Sequence, residues 1–289
     1  MINEIKKEEF QNTIFESLLE IPDCPKKLNF QGNLFPKDDY KFIAVVGSRG
    51  HSSYAKNVLE KLFKEISGQP IVIISGLALG IDALAHSEAI KNNLKTIAIP
   101  GSGLNEEVLY PKSNLGLARN ILDNNGILVS EFENSAKTMP YFFPQRNRIM
   151  AGMADLILVI EAQEKSGTLI TARLALDYNK ELATIPNSIF SDYSIGSNNL
   201  LKQGASPIFS GQDILELLNL TGKVKQTQLN FDDLNENEKI ILKKLTEPKS
   251  KSELLEETKL NISELLMQLS ILEIKGLIKE SLGKIMKNF

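Results

Sequence analysis

The chain has 289 residues and a formal net charge of −3, and its content of apolar (42%) and charged (24%) residues is ordinary for a soluble globular protein. This length is enough for a sizeable core and two domains. Its one cysteine, Cys24, excludes an internal disulfide, and with only two histidines we do not expect a zinc site built from His and Cys.

The N-terminal sequence MINEIKKEEF lacks the apolar centre of a secretion signal, and no apolar run approaches the roughly 20 residues that span a bilayer. We therefore expect a cytoplasmic protein. Its slight acidity does not argue against a nucleic-acid partner, because basic residues can cluster locally. Residues 1–35 are polar and short of core material, so we predict a short extension packed on the main domain.

Short apolar runs alternate with helical segments between residues 36 and 222. The runs are rich in Ile and Val, as expected of strands buried on both faces: FIAVV (42–46), IVIIS (71–75), TIAIP (96–100), ILVS (127–130), LILVI (156–160), LATIP (182–186) and a weaker ASPIF (205–209). Residues 52–66 and 80–93 place apolar residues at helical spacing. This alternation predicts an α/β domain with a doubly wound, mostly parallel sheet.

Small or hydroxyl residues follow six of these strands, in GSRG, SGLALGID, PGSGL, SEF, EAQEKSGT and IPNS. In doubly wound sheets, ligands bind beyond the carboxyl ends of the strands. A single glycine there usually marks a turn. Six such loops on one rim indicate a surface that a long ligand approaches closely.

Two of these loops are suited to an anion. GSRG (47–50) precedes a helix whose free amides can receive one, and it directs Arg49 toward the rim. It has neither the GxGxxG nor the GxxxxGK[ST] spacing, so dinucleotide binding is only weakly indicated and an ATPase P-loop is excluded. In KSGTLITAR (165–173), Ser166, Gly167 and Thr168 open a helix and suit a phosphate, unless Ser166 or Thr168 only caps the helix.

Two further segments have two interpretations each. Asp82 and His86 lie four residues apart on a helix, and a structural His–Asp pair is favoured over catalysis because no GxSxG sequence accompanies them. FPQRNRIMAG (143–152) follows a polar loop that contains Lys137. Its arginines suit phosphate and its aromatic residue suits unpaired bases, but internal salt bridges explain the arginines equally well.

Beyond a polar linker at 223–232 the pattern changes to helices only. We predict helices over 234–245, 250–260 and 261–276, then a hairpin that turns near Gly283. Asn235 and Glu238 have the spacing of a capping box, and Gly276 is expected to end the third helix. Three helices followed by a hairpin predict a small winged-helix domain over residues 233–289.

Together these loops resemble the DprA/Smf family of DNA-processing proteins. The resemblance covers roughly residues 40–210 and is carried, in order, by GSR, SGLALGIDALAH, GSGL, YPKSN, SEF, FPQRNRIMAG, EAQEKSGTLITAR and GSNNLLKQGA. The C-terminal segment is similar to the family's winged-helix domain. The resemblance implies an extended Rossmann-like domain that binds single-stranded DNA without sequence preference, with no catalysis and no cofactor.

The resemblance also implies a homodimer that protects incoming DNA and loads the RecA recombinase onto it during natural transformation. Carried over by motif, the expected DNA contacts are Ser48, Arg49, Gly76, Gly80, Ser130, Phe143, Arg146, Asn147, Arg148, Ser166, Gly167, Thr168 and Thr171, and charge and position add Lys137. Since Arg146 and Arg148 lie two apart on a helix start, they cannot face the same way. We expect Arg146 to meet DNA and Arg148 to brace the fold.

Two rival functions remain. A Rossmann-like nucleotide phosphoribohydrolase of the lysine-decarboxylase-like family would carry PGGxGTxxE, but Thr171 stands at the place of its glutamate. Losing that general acid/base removes most activity, so an enzyme is not expected. A sequence-specific regulator would read DNA with a basic winged helix, whereas residues 233–289 contain 10 Lys and 10 Asp or Glu. We expect this domain to serve protein contact more than DNA binding.

Overall fold

The protein is described here by a computed structural model that covers residues 1–220, 234–275, 277–281 and 283–287. The chain divides into two compact units, Met1–Lys225 and Gln226–Phe289. The predicted linker at 223–232 and the helix stop at Gly276 lie outside the described residues. The finer domain boundaries given above stay predictions.

Strands and helices alternate through the first unit after a strand pair at its start. The strands are β1 (Ile2–Lys6), β2 (Lys27–Gln31), β3 (Lys41–Val46), β4 (Ile71–Ser75), β5 (Lys95–Ala98), β6 (Ile127–Ser130), β7 (Leu156–Val159), β8 (Glu181–Thr184) and β9 (Ser206–Pro207). The helices are α1 (Ser53–Glu65), α2 (Ile81–Lys91), α3 (Leu115–Asp123), α4 (Phe142–Met153), α5 (Thr168–Asp177), α6 (Ile195–Lys202) and α7 (Gly211–Leu217). All seven predicted strands are confirmed.

One sheet joins these strands in the order β1-β2-β6-β5-β4-β3-β7-β8-β9. The pairs from β6 to β9 are parallel, while β2 is antiparallel to both β1 and β6. The sheet grows outward from β3 in one direction through β4, β5 and β6, and in the other through β7, β8 and β9. This confirms the doubly wound, mostly parallel α/β fold and places its topological switch point between β3 and β7.

Both faces of the sheet are buried, as the continuous apolar runs require. Along β3, Phe42 and Ala44 belong to the apolar core on one face, and Ile43 and Val45 belong to the core on the other. Successive side chains of a strand point to opposite faces, so each central strand needs apolar residues at every position when helices cover both sides.

The expectation that residues 1–35 are short of core material is wrong. Phe10, Phe15 and Leu18 are fully buried, and β2 pairs with β6 and so extends the main sheet. Leu18 lies in the short 3₁₀ turn Glu16–Glu20, Phe15 directly precedes that turn, and Phe10 directly follows the 3₁₀ turn Lys7–Glu9. Because such turns follow neither the period of a strand nor that of an α-helix, the sequence pattern concealed their contribution.

The second unit contains α8 (Glu236–Lys244), β10 (Lys249–Ser250), α9 (Lys251–Thr258), α10 (Ile262–Ile274), β11 (Ile278–Ser281) and β12 (Lys284–Lys287). Its three strands form an antiparallel sheet in the order β10-β12-β11. The three predicted helices, the hairpin and the Asn235–Glu238 capping box are present. The winged-helix interpretation of this unit stays a prediction. Across the described parts of both units, no helix is long and apolar enough to cross a membrane.

Candidate functional site

The predicted rim exists because β3 to β8 are parallel, so their carboxyl ends meet at one edge of the sheet. The loops that follow them contain the predicted site residues. These loops differ in what they offer a ligand, because some of their polar groups are exposed and others are already bonded within the protein.

Arg49 and Phe143 lie together at the surface of the rim. The Arg49 guanidinium lies over the half-buried Phe143 ring, 5.2 Å from its centroid. The Tyr110 ring meets Phe143 edge-on with centroids 6.0 Å apart. Arg119 is neutralised by Glu106, whereas the exposed Arg49 has no carboxylate within ion-pair distance in the described part of the chain. This arrangement offers an anion a guanidinium that has no carboxylate partner among the described residues and lies over an aromatic ring.

Arg146 is buried beneath this surface, contrary to the expectation that it is the arginine that meets DNA. Its Nη1 donates to the carbonyl of Ile99 (2.8 Å) and lies 3.9 Å from the Asp82 carboxylate. Burial raises the pKa of Asp82, and the nearby Arg146 guanidinium opposes that shift. An unpaired buried charge is costly, so the pair stabilises the charged state of both groups.

Arg148 braces the fold, as expected. Its Nη2 donates to both carboxylate oxygens of Glu131 at 2.6 Å, and its side chain is 16% exposed. Asn147 is half-buried between the two arginines, and Lys137 is exposed on the loop that precedes α4. Of the predicted cations, the structure therefore leaves Arg49 and Lys137 facing solvent.

A protein carboxylate occupies the start of α1, where the GSRG loop was expected to receive an anion. Glu161, fully buried after β7, accepts hydrogen bonds from the Ser52 amide (3.0 Å) and the Asn187 side-chain amide (3.0 Å). The Ser48 amide donates to the Glu161 carbonyl at 3.0 Å. The contribution of GSRG to ligand binding is therefore the Arg49 side chain rather than these amides.

Two predicted contact glycines are required for close packing. Gly80 has φ +80°, and a Cβ there would overlap the carbonyl groups of Ser48 and Arg49. A Cβ at Gly76 would overlap the Arg146 guanidinium, and the Gly76 amide donates to Asp82 (3.1 Å). Both glycines thus let the loops after β3 and β4 pack closely beneath Arg49.

Four of the predicted hydroxyl contacts, Ser48, Ser130, Thr168 and Thr171, are buried instead of lining the rim. Ser130 is inaccessible and donates to the Ser102 carbonyl (2.8 Å), while Thr168 and Thr171 are 8% and 1% exposed. The half-buried Ser166 hydroxyl accepts from the Thr168 amide at 3.2 Å, but the N-cap of α5 is Gly167, so neither Ser166 nor Thr168 is the capping residue. From the KSGT segment, the exposed Gly167 and part of Ser166 reach the surface.

The predicted His86–Asp82 pair does not form. His86 Nδ1 lies 2.7 Å from the Thr96 hydroxyl, and Thr96 donates to the Ile73 carbonyl. Burial lowers the pKa of His86 to about 3, so the ring is neutral. The two residues share one helix face, as their spacing predicts. His86 bonds to Thr96 in β5, whereas Asp82 bonds to Gly76 just after β4.

Two further features of the site lie outside the set of residues predicted to contact DNA. The Phe132 and Phe142 rings stack with centroids 3.6 Å apart, and Tyr141, 57% exposed, meets Phe142 edge-on. Clustered aromatic residues around FPQRNR were the available signal. Glu161 had no signal, because only the fold brings it to the start of α1. The described residues include no cluster of three or more His, Cys, Asp or Glu able to hold a metal ion.

Several known proteins are similar to this chain in sequence and fold. The sequence profile of the DNA recombination-mediator protein A family matches residues 5–219. DNA processing protein DprA from Streptococcus pneumoniae is 40% identical over 202 residues, 68% of each chain. The crystal structure of that protein aligns over 74% of both chains with a TM-score of 0.68 and 36% identity. DNA processing protein A from Helicobacter pylori, which has a described single-stranded DNA binding mode, aligns with a TM-score of 0.65 and 30% identity over 76% of this chain and 96% of its own.

Proposed function

The chain belongs to the DNA recombination-mediator protein A family, and from this premise we propose that it binds single-stranded DNA without sequence preference. The structural relative from Helicobacter pylori has a single-stranded DNA binding mode, which supports the proposal. The chain's own support is the exposed Arg49 guanidinium over the Phe143 ring. A cation for phosphates beside an aromatic platform suits an unpaired strand of any sequence.

The proposed contact surface comprises Arg49, Phe143 and Lys137, with Gly167 and Ser166 further along the rim. Ser48, Gly76, Gly80 and Arg148 support this surface from within, as do Ser130, Thr168 and Thr171. The strand would run across the segments that follow β3, β6 and β7.

Substitutions at the two central residues test this proposal. We expect Arg49→Ala and Phe143→Leu each to weaken binding of a mixed-sequence single strand by about tenfold, through a lost phosphate contact and a lost stacking platform. The matched control is Arg119→Ala, because it removes the same charge from a guanidinium already neutralised by Glu106 (2.7 Å). Fluorescence anisotropy with a labelled strand measures all three. Unchanged affinity in both test variants would contradict the proposal.

The family description is that of a recombination mediator, in agreement with the prediction that the chain is not an enzyme. The rival phosphoribohydrolase function is not favoured. Thr171, at the position of the hydrolase glutamate, is 1% exposed and has no carboxylate to transfer a proton.

We further propose that two copies of the chain form a homodimer through the side of the sheet that ends in β9. Ile189, Phe190 and Phe209 are 83%, 93% and 68% exposed, an unusual apolar surface for a monomer. A dimer would hold two tracts of one strand and gain affinity by avidity.

Charge placed on this surface tests the dimer. Sedimentation should show a monomer for Phe209→Asp combined with Phe190→Asp, because a carboxylate is costly to bury in an apolar contact. The control is Ile262→Asp, which adds the same charge at a 61% exposed position in the second unit. A double variant that sediments like the native chain would remove this surface from the dimer.

We also propose that the chain protects incoming single-stranded DNA and loads the RecA recombinase onto it during natural transformation. Support comes from the family description as a recombination mediator and from relatives named for DNA processing. The chain should shorten the lag of RecA filament assembly on single strands covered by a single-strand-binding protein. Arg49→Ala should lose this effect in proportion to its affinity.

A further inference from the structure

A charged pair lies directly beneath the Arg49–Phe143 surface and is shielded from solvent. The side chains of Arg146 and Asp82 are 7% and 9% exposed. Removing two charges from water is costly unless both are well bonded, so such a pair is rarely kept for stability alone. Because the Arg146 guanidinium is shielded from solvent, a phosphate outside the protein does not reach it. The role of Arg146 must therefore differ from that of Arg49.

The pair ties the start of α4 to the ends of two strands. Arg146, in the second turn of α4, donates to the Ile99 carbonyl just after β5 (2.8 Å). Asp82, in the first turn of α2, accepts from the Gly76 amide just after β4 (3.1 Å). The absence of a side chain at Gly76 leaves the space that the guanidinium fills.

The Phe143 ring depends on this anchoring because it lies three residues before Arg146 on the same helix. Its ring rests against Gly101, where a Cβ would lie 2.8 Å from a ring carbon. Tyr110 and Arg49 contact its edge and face. A change in the direction of the first turn of α4 would therefore move the ring out of this contact.

Asp82 has a second effect, on the charge at the surface. Burial lowers the pKa of Arg146, the Asp82 carboxylate opposes that shift, and the nearby Arg49 guanidinium lowers the pKa further. The two guanidinium groups therefore repel each other. The buried carboxylate compensates this repulsion and lets Arg49 stay over Phe143.

We propose that Arg146 is a positioning residue, which with Asp82 holds Phe143 and Arg49 in their binding arrangement without touching DNA. This inference rests on the proposed strand binding for its functional consequence, and on the buried pair for its geometry.

Asp82→Asn separates positioning from simple electrostatics. This variant removes a negative charge near a polyanion, so electrostatics alone predicts tighter binding. Positioning predicts weaker binding, by about tenfold, which is the scale of one stacking contact. Arg146→Met should weaken binding similarly, and the double variant no further than either single one, because the residues act as a unit.

The salt dependence distinguishes positioning from a phosphate contact. Each phosphate contact on a single strand contributes about 0.7 to the slope of log K against log salt. We expect Arg49→Ala to reduce the slope by about that amount, and Arg146→Met added to Arg49→Ala to reduce it no further, because Arg146 touches no phosphate. A slope that falls further in this double variant would make Arg146 a direct contact and overturn the inference.

Tryptophan fluorescence measured without DNA tests this inference separately from the proposed function. The chain has no tryptophan, so the F143W variant carries a unique fluorophore at the ring position. Arg146→Met and Asp82→Asn should change its emission and its quenching by iodide, whereas Arg119→Ala should not. An unchanged fluorophore in folded variants would overturn the inference, even if strand binding is established. If native protein binds no strand but the fluorophore responds, the proposed function fails and the positioning stands.

Gly76→Ala provides a second route if the charge variants do not fold. The added methyl group would displace the Arg146 guanidinium while both charges remain. It should reproduce the changed F143W fluorescence and the weaker binding. Circular dichroism and thermal unfolding identify which variants retain the fold.

Discussion

Three arginines of the rim show how burial separates residues that look alike in sequence. Arg49 is exposed over an aromatic ring, Arg146 is buried beside Asp82, and Arg148 is paired with Glu131. The spacing of Arg146 and Arg148 correctly required them to face differently. The spacing alone could not show which of the two faces the interior, because that depends on where α4 crosses the ends of β4 and β5. Arg146, the arginine expected to bind DNA, is the buried one.

His86 gives a residue-scale prediction on pH. Its pKa is about 3 in the folded chain and about 6.5 when unfolded, so below pH 6.5 the unfolded state binds a proton that the folded state does not. This group therefore contributes nothing above that pH and destabilises the fold by up to about 1.4 kcal/mol per pH unit as the pH falls toward 3.

Urea unfolding of the native chain and of His86→Asn near neutral pH and near pH 4.5 checks this expectation. The amide can still donate to Thr96, so the variant should lose less stability on acidification than the native chain. Equal losses in His86→Asn and the native chain would show that His86 is not buried in neutral form.

At the scale of elements, the sequence predicted the strands and helices whose apolar residues recur at a regular period. Seven strands and the main helices followed from Ile- and Val-rich runs and from helical spacing, since burial on both faces leaves few polar positions. The 3₁₀ turns Lys7–Glu9 and Glu16–Glu20 were missed because they follow neither the period of a strand nor that of an α-helix. The capping of α1 by Glu161 was missed because the two are distant in sequence. The rim was predictable as a set of loops, but its exposed residues were not.

At the same scale, alanine substitutions at two glycines should change the stability of the fold in opposite directions. Gly80→Ala should destabilise the fold by about 1–3 kcal/mol and weaken strand binding, because φ +80° and the overlap with two carbonyl groups do not admit a Cβ. Gly116→Ala should stabilise it by about 0.5–1 kcal/mol, since it lies within α3 with open space around its Cα. Thermal unfolding of both variants is the measurement. A stable Gly80→Ala with native affinity would show that this loop does not shape the surface.

At the scale of the whole molecule, the two units should contribute unequally to DNA binding. The second unit combines 10 Lys with 10 acidic residues over 233–289, and α10 contains neither Lys nor Arg. Nucleic-acid-binding domains usually present a cationic face. A chain of residues 1–222 should therefore bind single strands within about twofold of the full chain. Anisotropy titrations compare them, and a much weaker fragment would assign binding to the second unit. The fragment must begin at residue 1, because β1 and β2 belong to the sheet.

We propose that the rim neutralises the phosphates of an unpaired strand and stacks its bases. A salt-dependent titration of the native chain with single-stranded and duplex DNA of one sequence, from roughly 50 to 200 mM salt, tests it most directly. We predict tighter binding of the single strand at every salt concentration, affinity that falls as salt rises, and a shallower slope for Arg49→Ala. Equal or tighter binding of the duplex, or affinity that does not change with salt, would contradict the account.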